Sequence, residues 1–401
     1  MKLWPLVPAV ALCATAVQAE DLQLTPSVDA RLRYENVEQD GLPGDADALT
    51  LRARPGLTAK SGEWSALVEA EATVALSTGY NDGLNGKTQF PLVADPSNLE
   101  INRAQIRYSS LSGMTATAGR QRIELADQRF VGPAAFRQNE QTFDALRVQW
   151  TRGRLSADLT YAGSVRTVNG SRGAGARPSA IDGDNIFALL GYRSDIGTLA
   201  GFAYLVDQDD VAVQGFRLSS QTYGVRLNGS LDIAAGAKLG YTASWARQSD
   251  YHRNPNDYSA EYWLGEATLN YSGFNASLGY EVLGADDGTP LTSVQTPLAS
   301  FFRWNGWAGK FSTIPPDGLH DLYATVGHTL KKVGPLQAIN LAATWHRFDS
   351  DRLDRRYGHE LDLVLSARHG PFGASLRYAG YRADTLATDT DKLWLTLEWA
   401  V

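Results

Sequence analysis

Apolar and polar residues alternate in long runs along the chain from about residue 28 to its last residue. The first run sets apolar residues against charged ones: Val28, Ala30, Leu32 and Tyr34 against Asp29, Arg31, Arg33 and Glu35. The last run, from Leu393 to Val401, has the same period. A period of two over ten residues predicts a long β-strand with one apolar and one polar face. No sustained 3.6-residue period follows the first twenty residues, so the sequence predicts an all-β fold.

Eighteen such segments can be counted, and their connections alternate in length. Short turns such as 61–63, 152–153 and 369–371 alternate with long polar links such as 77–98 and 284–319, and the link near 230–235 is slightly longer than the other short ones. Membrane barrels have tight periplasmic turns and longer extracellular loops. We therefore predict a transmembrane antiparallel up-and-down β-barrel of about eighteen strands in the outer membrane of a Gram-negative bacterium.

A secreted β-sandwich or solenoid is the soluble alternative to the barrel. Sandwich strands are usually about 5–6 residues long, shorter than the runs in this chain. Aromatic residues also stand near several strand ends, as the aromatic girdles of a membrane barrel require: Tyr34, Trp150, Tyr161 and Trp399. Both features favour the barrel.

The first nineteen residues have the layout of a cleavable secretory signal. Lys2 precedes an apolar stretch that ends in Val17-Gln18-Ala19, with small residues at the positions a signal peptidase reads. Cys13, the single cysteine, lies within this stretch, so the mature chain is expected to lack disulfides. We predict a Sec signal over 1–19 and one barrel domain over 20–401.

The chain carries a net charge of −7, which argues against a nucleic-acid-binding protein. Many of its acids fall in the predicted loops, where they are mostly solvated, and a minority is expected to be available to divalent cations at the lipopolysaccharide surface. We expect no other cofactor. Outer-membrane lipid and lipopolysaccharide are the predicted surroundings of a barrel that is expected to be a monomer.

Arginine dominates the basic residues, with 29 Arg against 8 Lys. An eighteen-stranded barrel leaves an aqueous channel, so the polar face of each strand lines water. Several arginines share the polar phase of their strands and are predicted to line the lumen: Arg31 with Arg33, Arg52 with Arg54, Arg103 with Arg107, and also Arg226 and Arg377. Arginine rings select anions, which predicts an electropositive conduit. The alternative is that each arginine is paired with an acid: Glu35, Glu69, Glu71, Asp144 or Glu281.

The block GRQRIELADQRFVGPAAFRQNEQTFDALR, residues 119–147, resembles the alginate-export family of outer-membrane proteins. That resemblance implies an eighteen-stranded barrel with an arginine-rich lumen that passes polyuronate, with link 124–141 folded toward the lumen. It implies pore or constriction roles for Arg120, Arg122, Asp127, Arg129, Arg137, Asn139 and Arg147. Arg120 and Arg122 share parity with Ala116 and Ala118, so the pattern places them inside only if a bulge intervenes. Phe143 and Asp144 are alternative anchors of the link to the wall.

Two channel functions follow, and an enzyme is not expected. No serine-nucleophile, zinc or nucleotide motif accompanies the six histidines in the context that such sites need. The first function is a conduit for anionic polysaccharide, of alginate or polyuronate type, or its oligomers. The second is a general anion-selective or small-solute porin for nutrient uptake.

Link 284–319 is rich in aromatic residues, namely Phe301, Phe302, Trp304 and Trp307. Such side chains can stack on sugar rings, or they can pack the loop onto the barrel rim. The sequence favours packing slightly.

Overall fold

Eighteen strands of 8 to 17 residues pair antiparallel with their neighbours in the chain, in a computed structural model that describes residues 22–210 and 215–401. In chain order they are β1 Gln23–Gln39, β2 Ala46–Ser61, β3 Trp64–Ala75, β4 Asn98–Ser109, β5 Met114–Gln121, β6 Thr142–Arg152, β7 Leu155–Arg166, β8 Ala180–Ser194, β9 Gly197–Val206, β10 Ser220–Ala234, β11 Ala237–Asp250, β12 Ser259–Tyr271, β13 Phe274–Leu283, β14 Leu319–Val333, β15 Leu336–Asp349, β16 Arg356–His369, β17 Phe372–Ala383 and β18 Thr390–Ala400. β1 also pairs with β18, from Asp29 opposite Ala400 to Gln39 opposite Thr390. The sheet therefore closes, and the predicted eighteen-stranded all-β barrel is confirmed. The predicted signal, 1–19, lies outside the described residues.

The two faces of the strands differ as the alternation predicts, and β18 shows it clearly. Leu393, Leu395 and Leu397 point outward and are exposed, whereas Lys392 and Trp394 point inward and are buried. Exposed leucine would be unfavourable in water, at about 25 cal/mol per Å² of apolar surface. A continuous outward apolar belt is what a barrel presents to lipid hydrocarbon.

Long loops gather at one end of the barrel and tight turns at the other. The loops that matter below are loop 2 (76–97), loop 3 (122–141), loop 4 (167–179) and loop 7 (284–318). The longer link predicted near 230–235 is wrong, because β10 continues to Ala234 through a register shift after Asp232 and the turn is 235–236. In the described residues the helical segments are the short 3₁₀ turns Gly215–Leu218 and Phe301–Arg303, and no helix there is long and apolar enough to cross a membrane.

The inside of the barrel is filled at the loop end rather than open. Ile123 and Val131 of loop 3 and Leu298 of loop 7 are buried against Phe143 and Phe187 of the wall. Loops 3 and 7 thus pack an apolar core within the lumen, which narrows the route that a solute can take.

Candidate transport pathway

Loops 3 and 7 meet across the lumen and are hydrogen-bonded to each other. Val131 and Leu298 form a parallel bridge, and the backbone N–H of Gly132 donates to the Leu298 carbonyl at 2.9 Å. The Phe136 ring stacks on the Phe302 ring with centroids 4.0 Å apart. We call the two joined loops, 122–141 and 284–318, the loop platform. It contains link 124–141, which lies inside the barrel as the resemblance implies.

The predicted arginines of β1 hold loop 3 against the wall. Arg31 Nη1 lies 3.1–3.3 Å from the carbonyl oxygens of residues 135–137, to which it donates. Arg33 Nη1 donates to the Phe136 carbonyl at 2.6 Å, and its guanidinium lies over the Phe136 ring. Both side chains point inward, as the alternation predicts, but their donors are occupied by the protein.

The arginines of β1 and of its neighbour β2 also pair with carboxylates. Arg54 Nε donates to Glu71 Oε2 at 2.6 Å, and both side chains are buried. Arg52 pairs with Asp29. Arg31 Nε donates to Glu398 Oε1 at 2.8 Å. Arg33 Nη1 lies 3.7 Å from Asp95 Oδ2. For these four arginines the pairing alternative fits the structure better than a bare electropositive surface.

Arg103, Arg107 and Arg147 also point inward, nearer the tight-turn end. Arg103 Nε donates to Glu69 Oε1 at 2.8 Å, across a register shift between β3 and β4. Arg147 Nε donates to Asp158 Oδ1 at 3.0 Å. Arg107 makes no ion pair among the described residues and is exposed.

Arg120 does not face the lumen, which corrects the assignment taken from the resemblance. β5 runs without a bulge at this point, so Arg120 keeps the outward phase of Ala116 and Ala118. On the outer face it forms two hydrogen bonds with Asp144, Nε to Oδ1 at 2.8 Å and Nη2 to Oδ2 at 2.9 Å. Asp144 therefore neutralises an outward arginine rather than anchoring loop 3.

Arg122 is not bound to the outward phase of Arg120, because β5 ends at Gln121. Its side chain turns inward, with Nη1 3.0 Å from Oε1 of the buried Glu140. Nε donates to Glu124 Oε1 at 2.6 Å. The predicted inward position holds, while the reason is the end of the strand rather than a bulge.

Asp127, Arg129 and Arg226 form the charged underside of the loop platform. Arg226 of β10 pairs with Asp127. Arg129 is 1% exposed, donates from Nε to Glu281 Oε1 at 2.8 Å and from Nη2 to Asn305 Oδ1 at 3.0 Å. These charges connect loop 3 to the wall and to loop 7.

Asn139 is fully buried and connects three loops. Its Nδ2 donates to the carbonyls of Pro96 in loop 2 and Val168 in loop 4, each at 3.1 Å. This is a positioning role, because the side chain has no exposed surface with which to touch a solute.

Above the platform lies a cavity of about 810 Å³ whose charged lining is entirely basic. Six basic side chains line it, and the lining includes no Asp or Glu: Arg137, Arg177, Arg303, Lys310, Arg377 and Lys392. They come from loops 3, 4 and 7 and from β17 and β18. Only Arg137 and Arg377 are among the residues predicted from the sequence.

None of these six side chains forms an ion pair with a carboxylate within the described ranges 22–210 and 215–401. Arg377 lies over the rings of Trp307 and Phe136, at 4.8 and 5.6 Å from the centroids, and Arg137 lies over Phe302 at 4.5 Å. Lys310 Nζ donates to the Thr390 hydroxyl at 2.6 Å. Stacked or singly bonded in this way, Arg377, Arg137 and Lys310 keep donors available to an anion.

Burial lowers the pKa of two loop members of this set, Lys310 and Arg177. Burial lowers the pKa of Lys310 below its ordinary value, against the opposing pull of Glu360 and Asp389. Burial, and then the nearby Arg137, lowers the pKa of Arg177, which nonetheless stays charged at any working pH. The cavity therefore gathers six cations, while the acids that act on Lys310, Glu360 and Asp389, lie outside its lining.

Four of the six basic residues were missed because nothing in a strand pattern predicts where a loop will fold. Arg177, Arg303 and Lys310 stand in loops without periodicity. Lys392 does have the inward phase of β18, alternating with Leu393 and Leu395, and could have been found from that signal.

The aromatic residues of loop 7 mostly pack within the platform. Phe302 stacks on Phe136, the Trp304 ring lies under the Arg129 guanidinium, and Trp307 lies under Arg377. Phe301 and Phe302 line the cavity as well. Packing, which the sequence slightly favours, accounts for most of this cluster.

Two inward acids of β16 hold loop 7 in place from below. The backbone N–H of Ala308 donates to Glu360 Oε1 at 2.7 Å, and that of Trp307 to Asp362 Oδ2 at 3.3 Å. Both carboxyl groups are buried. Across residues 22–210 and 215–401, no group of three or more His, Cys, Asp or Glu is arranged to hold a metal ion, so the expected divalent sites in the acidic loops are not seen there.

The solved structures that this chain matches are outer-membrane porins. OccAB4 of Acinetobacter baumannii matches with a TM-score of 0.68 at 15% identity, over 96% of this chain and 99% of that one. OccAB3 of the same organism has 0.69 at 14%, over 94% and 99%. OccD3 (OpdP) of Pseudomonas aeruginosa has 0.67 at 14%, over 94% and 91%. At these identities the likeness is one of fold.

No curated protein matches the chain. A family model does: residues 23–178, from β1 to loop 4, match the alginate export family. The matched segment contains loop 3 and the whole of block 119–147. The match and the porin fold together support an outer-membrane channel, and the resemblance of this chain to the alginate export family is confirmed over residues 23–178.

Proposed function

We propose that this protein is an anion-selective outer-membrane channel of a Gram-negative bacterium, which passes acidic polysaccharide of the polyuronate type or its oligomers as a monomer. The observation that carries the proposal is the cavity above the loop platform, whose lining has six basic side chains and no Asp or Glu. Within the described residues, none of the six forms an ion pair with a carboxylate. A polyuronate carries one carboxylate per sugar, and guanidinium groups bind carboxylates through paired hydrogen bonds. Several such sites in series let a chain be held and released step by step.

The second candidate is a channel for small organic anions. The loop platform favours it, because loops 3 and 7 fill the lumen and leave a cavity of about 810 Å³, within the roughly 300–1,000 Å³ typical of small-ligand sites. Both candidates need the same basic residues, so they are distinguished by the length of the anion that the channel passes.

Single-channel recording in planar bilayers tests the proposal. Polyuronate oligomers added to the long-loop side should interrupt the current, while neutral oligosaccharides of equal length should not. Replacement of one unpaired cation, Arg377→Gln, should weaken the block about tenfold, the effect of removing roughly 1.4 kcal/mol of binding. Arg154→Gln, on an exposed turn at the opposite end, is the matched control and should leave the block unchanged.

Block by short uronates alone, with long chains inert, would favour the small-anion channel. Equal block by neutral and acidic oligosaccharides would contradict both candidates, because charge would then play no part.

A further inference from the structure

Three basic side chains form a row on the outer face of the barrel, at the long-loop end. Arg347 of β15 stands directly opposite His359 of β16, and His359 stands opposite Arg382 of β17. All three have the outward phase. Neighbouring strands lie about 4.8 Å apart, so the row spans roughly 10 Å. Arg356 extends it at the loop edge.

Acids near the row orient the guanidinium groups without occupying them fully. Arg347 Nη2 donates to Asp349 Oδ1 at 3.2 Å, and Arg382 Nη2 to Asp391 Oδ1 at 2.9 Å. Both arginine side chains remain 42% exposed. Because each guanidinium has five N–H donors, each can still bind an external oxyanion.

Below this row the outer wall has an apolar hollow of about 580 Å³ on the same group of strands. Its side-chain walls are almost wholly apolar, including Val326, Leu341, Leu363 and Leu376, and the small Ala343 leaves its floor open. A hollow that faces hydrocarbon fits a chain of methylene groups, because such a chain restores the van der Waals contacts that a gap forfeits.

The distance between the row and the hollow is similar to the thickness of the hydrocarbon in one lipid leaflet. From His359 to Leu363 along β16 is four residues, about 13 Å at roughly 3.3 Å per residue. Half of a hydrocarbon core is about 15 Å. Trp345, Leu361 and the Tyr378 ring lie between the row and the hollow. The Tyr378 ring covers Gly380 so closely that a Cβ on residue 380 would be 3.0 Å from Tyr378 Cζ.

From this juxtaposition we propose that the outer face of β14–β18 is a binding site for lipopolysaccharide, with a lipid A phosphate on Arg347, His359 and Arg382 and an acyl chain in the hollow. The row stands at the long-loop end, which in outer-membrane barrels faces outward, where lipopolysaccharide rather than glycerophospholipid forms the leaflet. Asp384 lies 3.8 Å from Arg356 Nε and joins Asp349 and Asp391 near the row. These three acids leave little net charge, so recognition rests on directed hydrogen bonds to phosphate together with acyl packing. This site is independent of the lumen and of what passes through it.

Lipid retention by the purified, folded barrel, measured by native mass spectrometry, tests the site. Wild type should retain bisphosphorylated lipid A, and the double variant Arg347→Gln with Arg382→Gln should need about tenfold more lipid for equal occupancy, as loss of charge-assisted donors predicts. Ala343→Phe, which fills the hollow without touching a charge, should weaken retention too. The matched control, Arg120→Gln with Arg247→Gln, removes two outward arginines at the same end on other strands and should bind as wild type does.

Two reference lipids identify the source of the phosphate. Dephosphorylated lipid A and phosphatidylglycerol should both be retained more weakly than bisphosphorylated lipid A. Equal retention by the row variant and the control would overturn the site, and so would retention of phosphatidylglycerol as strong as that of lipid A.

Discussion

At the scale of single residues, arginines on the same inward face of the barrel differ in whether the protein itself occupies their donors. Arg33 and Arg54 point inward as alternation predicts, yet loop 3 carbonyls and Glu71 use their donors. Arg303 and Arg377 also point into the barrel, and among the described residues no carboxylate pairs with them. Alternation fixes which way a side chain points, because it is a property of the strand. Its partner depends on which distant segment packs against it.

Lys310 is expected to make anion preference depend on pH. Its pKa is lowered by burial, so as pH rises it loses its charge earlier than an ordinary lysine, whose pKa is about 10.4. The cavity then becomes less positive, and the chloride preference should fall between pH 7 and 10. Reversal potentials in a KCl gradient over this range measure the effect.

Lys310→Arg supplies the control, because arginine stays charged over the whole range. The variant should show a smaller fall than wild type. An identical fall in both proteins would assign the titration to other groups.

At the scale of elements, loop 3 is held by contacts that no local pattern predicts. Block 119–147 indicates that this link matters, and the resemblance places it in the lumen. Its attachments to Glu281, Asn305 and Leu298, more than 140 residues away in sequence, appear only in the folded chain. Arg120 shows the converse, since local parity alone predicts its outward position correctly and the family pattern does not.

The buried Arg129–Glu281 pair is expected to lock the loop platform. Removing one partner of a buried ion pair costs about 3–5 kcal/mol, because the other charge is left without compensation. Arg129→Met should therefore release loops 3 and 7, with faster hydrogen exchange at Gly132 and Gln141 and a larger, noisier single-channel conductance.

Replacing both partners provides the test of mechanism. Arg129→Met with Glu281→Leu removes the stranded charge, so it should recover most of the protection that the single variant loses. If the double variant exchanges as fast as the single one, the ion pair is not what holds the platform.

At the scale of the whole molecule, the sign of the charge on one internal surface differs from that of the chain as a whole. The net charge is −7, yet the charged lining of the cavity above the loop platform consists of six cations and no acid. Strand number and closure follow from the sequence because each hairpin is a local repeat of alternation and turn. The filling of the lumen does not, because it is set by loops that have no period.

The central claim, that the unpaired cations above the loop platform select anions, is tested most directly by the reversal potential of single channels in a KCl gradient. Wild type should prefer chloride, and Arg303→Glu with Arg377→Glu should abolish or invert that preference. The charge-matched control Arg152→Glu with Arg154→Glu, at the tight turn between β6 and β7, should retain it. A cation-selective wild type, or a double variant whose reversal potential equals that of wild type, would contradict the account.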